Sequence, residues 1–154
     1  MNSNQLTNAF TDIYFKTTKG MANLLQSATA EFHVSFEQYQ ILRDIAYQRA
    51  SNLTELVQLR GVTKPAIARQ LRTLRSLEYI NQTTASADHR RHVLSLTSAG
   101  AAVEKQIESA LDGSFDHLVA AIGEDEVQTL TTILEHINDN LLQPTRPHND
   151  TASS

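Results

Sequence analysis

Apolar residues recur every three or four positions along most of this chain, and the interruptions mark its joints. From about Gln5 to Glu31, the residues Leu6, Phe10, Ile13, Tyr14, Met21, Leu24, Leu25 and Ala28 fall at helical spacing, with Gly20 a weak point midway. So long a stripe exceeds what a lone surface helix of a small protein can bury. It is therefore expected to pack on another chain or another long helix. Ser35-Phe36-Glu37-Gln38 has the spacing of a capping box. The helix it starts offers Phe36, Tyr39, Ile41, Leu42, Ile45 and Ala46 as a buried face, up to about Arg49. Ser51-Asn52 breaks that pattern, and Asn52 with Glu55 three residues on caps a short helix with Leu53, Leu56, Val57 and Leu59 inward.

Gly61 can take the positive φ that ends this helix sharply, with Val62 as a plug for the corner. Thr63 is an N-cap for the next helix, and Pro65 sits in its first turn, where a missing N–H costs nothing. At 100° per residue, Ile67, Leu71 and Leu74 gather on one side, while Pro65, Arg69, Arg72, Thr73 and Ser76 fall opposite. The helix should end near Leu77–Glu78. Tyr79–Thr83 and His92–Leu96 are β-prone, with Ile80, Val93, Leu94 and Leu96 as strand or inward residues. Between them, residues 84–91 are small and polar at first and then charged, as a hairpin tip should be. Thr97 caps a helix running from Ser98 to roughly Ile122, which Gly113 can bend. Gly123 punctuates, and Glu124-Asp125-Glu126 opens a last helix with acids at its positive end. Val127, Leu130, Ile133, Leu134, Ile137, Leu141 and Leu142 follow, and from Gln143 the composition predicts a disordered tail over 143–154.

Charge sharpens this picture. The chain carries a net −4, but Arg60, Lys64, Arg69, Arg72, Arg75, Arg90 and Arg91 stand against only Glu78 and Asp88 between positions 60 and 92. That segment is +5 on a remainder of −9, the electrostatic footprint of a nucleic-acid reader, although a solvated basic face has the same composition. Without cysteine there are no disulfides or thiolate metal sites, and no thiol redox sensing. No apolar run approaches the ~20 residues that span a membrane, and the N-terminus does not read as a secretion signal. The expectation is a cytoplasmic protein. Helix, tight turn, arginine-bearing helix and basic-tipped hairpin together read as a winged helix-turn-helix: mainly α, with a small β-hairpin wing.

The chain resembles the MarR family of bacterial transcription regulators. The resemblance is carried by the run from Leu53 to Thr63, the helix Pro65–Leu74, and above all the wing register at Asp88, Arg90, Leu94, Leu96 and Thr97, with Gly100 beyond. It extends over residues 5–142. There are three departures from the family pattern: His89 in place of an arginine, Glu78 in place of the glycine that ends the recognition helix, and Asn81-Gln82 in place of a basic residue. The resemblance implies an obligate homodimer in which residues 5–34 and 98–142 form the dimerisation helices and residues 35–97 the DNA-binding part. It also implies an effector cleft for small aromatic or anionic ligands, which here would draw on Tyr14, Phe15, His33, Phe36 and Tyr39.

Within that frame the chemistry assigns roles. Arg69 is the candidate for base-edge contact, because a guanidinium pairs with guanine O6 and N7. Thr63 opens the helix, and Pro65, Ala66 and Ala68 meet thymine methyls or permit close approach. Lys64, Arg72 and Arg75 suit phosphates, which set position rather than sequence. Arg90 suits a narrow minor groove, with Asp88 holding Arg90 or Arg91 extended. The six histidines form no i, i+4 pair, and no phosphate loop, nucleophile elbow or catalytic carboxylate pair is present. The expectation is no enzyme, no cofactor and no metal. The leading reading is a sequence-specific dimeric repressor on double-stranded DNA. The alternative is a winged-helix protein-interaction module without DNA binding, and RNA binding ranks below both.

Overall fold

Two residues start the first helix. The Asn2 N–H donates to Gln5 Oε1 at 3.0 Å and the Gln5 N–H donates to Asn2 Oδ1 at 2.8 Å, a capping box the hydrophobic pattern did not reveal. In the computed structural model, which describes residues 1–84 and 92–142, helix α1 then runs over Ser3–Thr29. A 3-10 turn at Ala30–Phe32 and His33 in the left-handed region (φ 58°) end it. The described residues belong to two compact units, residues 1–112 and the part from Gly113 onward.

The first unit is built on α2 (Phe36–Ala46), α3 (Leu53–Arg60) and α4 (Lys64–Ser76). The Ser35–Gln38 capping box forms, and Asn52 Oδ1 accepts from the Glu55 N–H at 2.9 Å. Helix α2 stops at Ala46, sooner than its apolar pattern suggests, and Ala46 is exposed. Strands β1 (Ile80–Thr84) and β2 (His92–Leu96) pair antiparallel, with Ile80 opposite Leu96 and Gln82 opposite Leu94. Beyond the ladder, the Leu94 N–H donates to Ser51 O at 2.8 Å, which pins β2 to the joint before α3. Helix α5 (Ser98–Ile122) continues unbroken through Gly113.

Leu42, Leu56, Leu74, Ile41 and Ile107 are the large, fully enclosed core side chains, with Ile67, Leu71, Ile80 and Leu94 around them. Each such burial is worth roughly 1.5–3 kcal/mol, so α2, α3, α4, the wing base and the first half of α5 stabilise one another. Besides Ala46, two assignments of apolar residues change. Leu59 points outward, and the inner position one turn after Leu56 belongs to Arg60. Val62 is 44% exposed, while Leu56 and Ile67 on either side of the turn are buried in the core, so the turn residue is left in solvent.

The second unit holds the end of α5 and helix α6 (Glu124–Ile137), followed by a π-helical turn at Asn138–Leu142. Glu124, Asp125 and Glu126 occupy the first turn of α6, where they complement the helix dipole. Among the described residues no helix is long and apolar enough to cross a membrane. Residues 143–154, expected to be disordered, lie outside the described residues.

Candidate nucleic-acid interface

The turn between α3 and α4 sets the geometry of the basic surface. Gly61 takes φ 64°, its N–H donates to Val57 O at 3.0 Å, and the chain reverses within three residues. A side chain with a Cβ would be strained in that conformation. Thr63 Oγ1 then accepts from the Ala66 N–H at 3.4 Å, capping α4, with Pro65 in the first turn. The start of α4 presents the positive end of the helix dipole, which favours phosphate.

Arg69, Arg72 and Arg75 are all exposed on α4, as are Thr63, Lys64 and Pro65, while Ala66 and Ala68 are half-buried. Ile67, Leu71 and Leu74 hold the opposite face in the core. Helix α4 is also fixed sideways, because Gln38 Nε2 of α2 donates to Gln70 Oε1 at 2.8 Å. Arg75 is anchored as well: its Nη1 donates to Gln82 Oε1 on β1. Gln82 therefore steers a cation of α4. Lys64, Arg72 and Arg75 lie on one side of a cleft of about 690 Å³, with Asn52 and Thr54 of the α3 start on another and Gln82, His92 and Leu94 from the wing. Asp88, Arg90 and Arg91 lie outside the described residues.

The junction of α4 with the wing depends on three close contacts. Glu78 has φ 59°, a left-handed backbone that a non-glycine residue adopts at a cost. Thr97 Oγ1 donates to Glu78 O at 2.7 Å and the Thr97 N–H donates to Tyr79 O at 3.0 Å, closing the base of the hairpin. Gly100 packs against the same peptide so tightly that a Cβ there would lie 1.9 Å from Tyr79 O. Leu96-Thr97 and Gly100, parts of the sequence register, thus meet at one joint.

One functional neighbour escaped the sequence reading. Asp44 on α2 is fully buried and takes two bonds from Arg60, from Nε at 2.5 Å and from Nη2, with Arg49 Nη1 at 3.8 Å from its other oxygen. Arg60 is therefore spent inside the fold, tying α2 to the end of α3. One of the seven basic residues counted for the surface does not serve it. The pattern held a signal for this: Asp44 is the single acid within the apolar stretch Tyr39–Ala46, and Arg60 sits one turn after Leu56.

The five aromatic and histidine positions considered for an effector do not gather in the chain. Tyr39 is buried in the core beside Phe36, at 5.9 Å between ring centroids. Burial, with nearby Glu104 and Glu108, outweighs the attraction of Arg43 and pushes its phenol up to about 12, so it stays neutral. Tyr14 and Phe15 lie on exposed α1 in edge contact at 5.4 Å, and His33 is exposed in its turn. None of the five lines the cleft at α4. Among the described residues no group of three or more His, Asp or Glu is placed to hold a metal ion.

No family model matches the chain. It is 27% identical over 152 residues, 97% of this chain and the full length of the relative, to an uncharacterized HTH-type transcriptional regulator of Staphylococcus aureus strain MSSA476. It is 20% identical to the uncharacterized HTH-type transcriptional regulator YwaE of Bacillus subtilis, over 85% of this chain and 77% of that one. Among solved structures, a mutant of MarR from E. coli complexed with operator DNA superposes with a TM-score of 0.74 at 20% identity, covering 89% of this chain and 99% of that one. Staphylococcus aureus MarR in complex with salicylate and kanamycin gives 0.75 at 23%, covering 90% and 93%. A MarR family transcription regulator designated SP03579 gives 0.77 at 16%, covering 89% and 90%. With six α-helices among the described residues, a two-stranded wing and the α3–turn–α4 unit between them, the chain has the winged helix-turn-helix fold of the MarR-family regulators.

Proposed function

We propose that this protein is a sequence-specific, DNA-binding transcription regulator, acting in the cytoplasm as a homodimeric repressor on a pseudo-palindromic operator. The observation that carries the reading is α4: a helix sealed on one face by Ile67, Leu71 and Leu74, capped by Thr63, and presenting Arg69, Arg72 and Arg75 on the other. Arg69 reads a base edge in the major groove. Lys64, Arg72 and Arg75 hold phosphates, with Arg75 oriented by Gln82, and Arg90 of the wing tip enters the minor groove, with Asp88 as the partner of Arg90 or Arg91. A two-fold dimer places two such helices on the order of 34 Å apart, one turn of DNA.

The apolar face of α1 supports the dimer. Leu6, Phe10, Ile13 and Tyr14 form an exposed band that water disfavours and that a second copy would cover. In the second unit Leu130, Ile133 and Leu134 are exposed in the same way. Release by a small aromatic or anionic ligand completes the proposal. The cleft lined by Lys64, Arg72 and Arg75, with Glu55 the one acid beside them among the described residues, offers an excess of positive charge to such a ligand at the surface that would face DNA.

A second reading, a winged-helix protein-interaction module, is favoured by the net charge of −4 and by the withdrawal of Arg60 into a buried ion pair. A selection from random duplexes decides between them. Enrichment of an inverted repeat, with affinity falling about 10³-fold between 50 and 200 mM salt, supports the regulator. A flat salt response with no enriched motif supports the interaction module.

A further inference from the structure

A second cavity of the first unit, about 630 Å³, opens between the end of α2, strand β2 and the first turns of α5. Ile45, Ala50, Leu94, Leu96 and Ala101 give it apolar walls, and it shares only Leu94 with the cleft at α4. Glu104 lines it too. That side chain is 3% exposed, and its Oε1 has no hydrogen-bond partner. Among the described residues no ion pair within 4.0 Å neutralises it; the two such pairs both belong to Asp44.

The charges around Glu104 are mixed. From α2, Arg43 attracts it at longer range, and Tyr39 and Tyr47 stand in the same group. On α5, Glu108 repels it and Lys105 attracts it weakly, while the Tyr47 hydroxyl donates to Glu108 rather than to Glu104. Strand β2 brings no ionisable group to the cavity, only Leu94, Ser95 and Leu96. Burial first, and Glu108 second, hold the Glu104 carboxyl above its ordinary range. A carboxylate removed from water without full compensation binds either a proton or a cation. Its field is felt most strongly beside low-dielectric walls.

We propose that this cavity binds a small organic monocation, an ammonium or amidinium on a compact apolar body, with Glu104 as its counter-charge. The volume falls within the range of small-molecule sites, and largely apolar walls with a few polar groups, here Gln48, Ser51, Ser95, Glu104 and Lys105, are the usual composition of such a site. Lys105, exposed at the rim, repels a second positive charge and so selects monocations over polyamines. The site does not depend on the DNA-binding reading.

The full chain is titrated calorimetrically with benzylamine and with benzyl alcohol, its neutral isostere, and amide chemical shifts of Ser95, Leu96 and Ala101 locate the binding. At pH 8 benzylamine is expected to bind at least tenfold more tightly than benzyl alcohol and to shift those three amides. Glu104→Gln should erase the tenfold preference while leaving the alcohol unaffected. Ala101→Leu, which narrows the cavity and keeps Glu104, should weaken both ligands. Lowering the pH through the titration of Glu104, whose carboxyl is held above its ordinary range, should weaken benzylamine alone, because the proton takes the carboxylate while the amine keeps its charge. Equal binding of amine and alcohol, binding of the amine unchanged in Glu104→Gln, or no binding at millimolar concentration overturns the proposal. If Glu104→Gln does not fold, the Ala101→Leu variant and a pH series decide: the amine's advantage must fall as Glu104 takes up its proton, and both ligands must weaken in the narrowed cavity.

Discussion

Helix α4 lays Ile67, Leu71 and Leu74 against neighbours that leave none of them more than 5% exposed, whereas α1 leaves Leu6, Phe10 and Ile13 each 57% or 58% exposed. The two stripes have the same helical period. What separates them is the supply of partners within one chain. Helices α2 and α3 and strand β1 converge on α4, and α1 touches chiefly the turn that follows it and α2. An apolar stripe therefore states that a face must be covered, and leaves open what covers it. On α4 the answer lies in the fold, and the opposite face is free to carry arginines. On α1 a second copy is the answer we propose.

Variants that act on one side of this contrast test it, beginning with the most damaging. Asp44→Ala should cost on the order of 3 kcal/mol in chemical denaturation, because Arg60 and Arg49 would lose their buried partner. A loss below about 1 kcal/mol would mean that water satisfies Arg60 adequately and that the pair does not lock α2 to α3. Ile13→Glu should leave helix content unchanged while weakening self-association about a hundredfold in sedimentation experiments, since it places a charge in the proposed interface. A dimer that survives this change moves the interface off α1. Arg69→Ala should cost about 2 kcal/mol of discrimination at particular base pairs, seen as a relaxed position in the selected motif, with the folding midpoint unmoved. The smallest effect is a gain. Glu78→Gly should stabilise the chain by about 1 kcal/mol by relieving the positive φ at the end of α4, provided the Thr97 bond to its carbonyl is kept. A thermal midpoint that falls would show that the Glu78 side chain contributes more than its backbone costs.

Much of the first unit was legible in the sequence, for a local reason. Caps, a glycine turn and periodicity act over three or four residues, so Ser35 with Gln38, Asn52 with Glu55, Gly61 and Thr63 could be placed without knowing what they pack against. The departure at Glu78 was visible too, and the structure turns it into a specific backbone conformation. What stayed hidden were pairings between residues distant in the chain: Asp44 with Arg60, Gln38 with Gln70, Arg75 with Gln82, and the near-contact of Gly100 with Tyr79. Leu59 and Val62 were misjudged for the same reason, because hydrophobicity by itself does not reveal which side chains the core takes in.

By itself the sequence determined the order of elements, the caps of α2, α3 and α4 and the apolar side of most helices, which are set by nearest-neighbour sterics and by the period of the apolar residues. It also concentrated positive charge between Arg60 and His92. Tertiary structure alone decided which of those charges face solvent, since burial depends on what another element brings to the same spot. It turned Arg60 inward to Asp44, anchored Arg75 on Gln82, and left the Oε1 of Glu104 without a partner beside an apolar cavity.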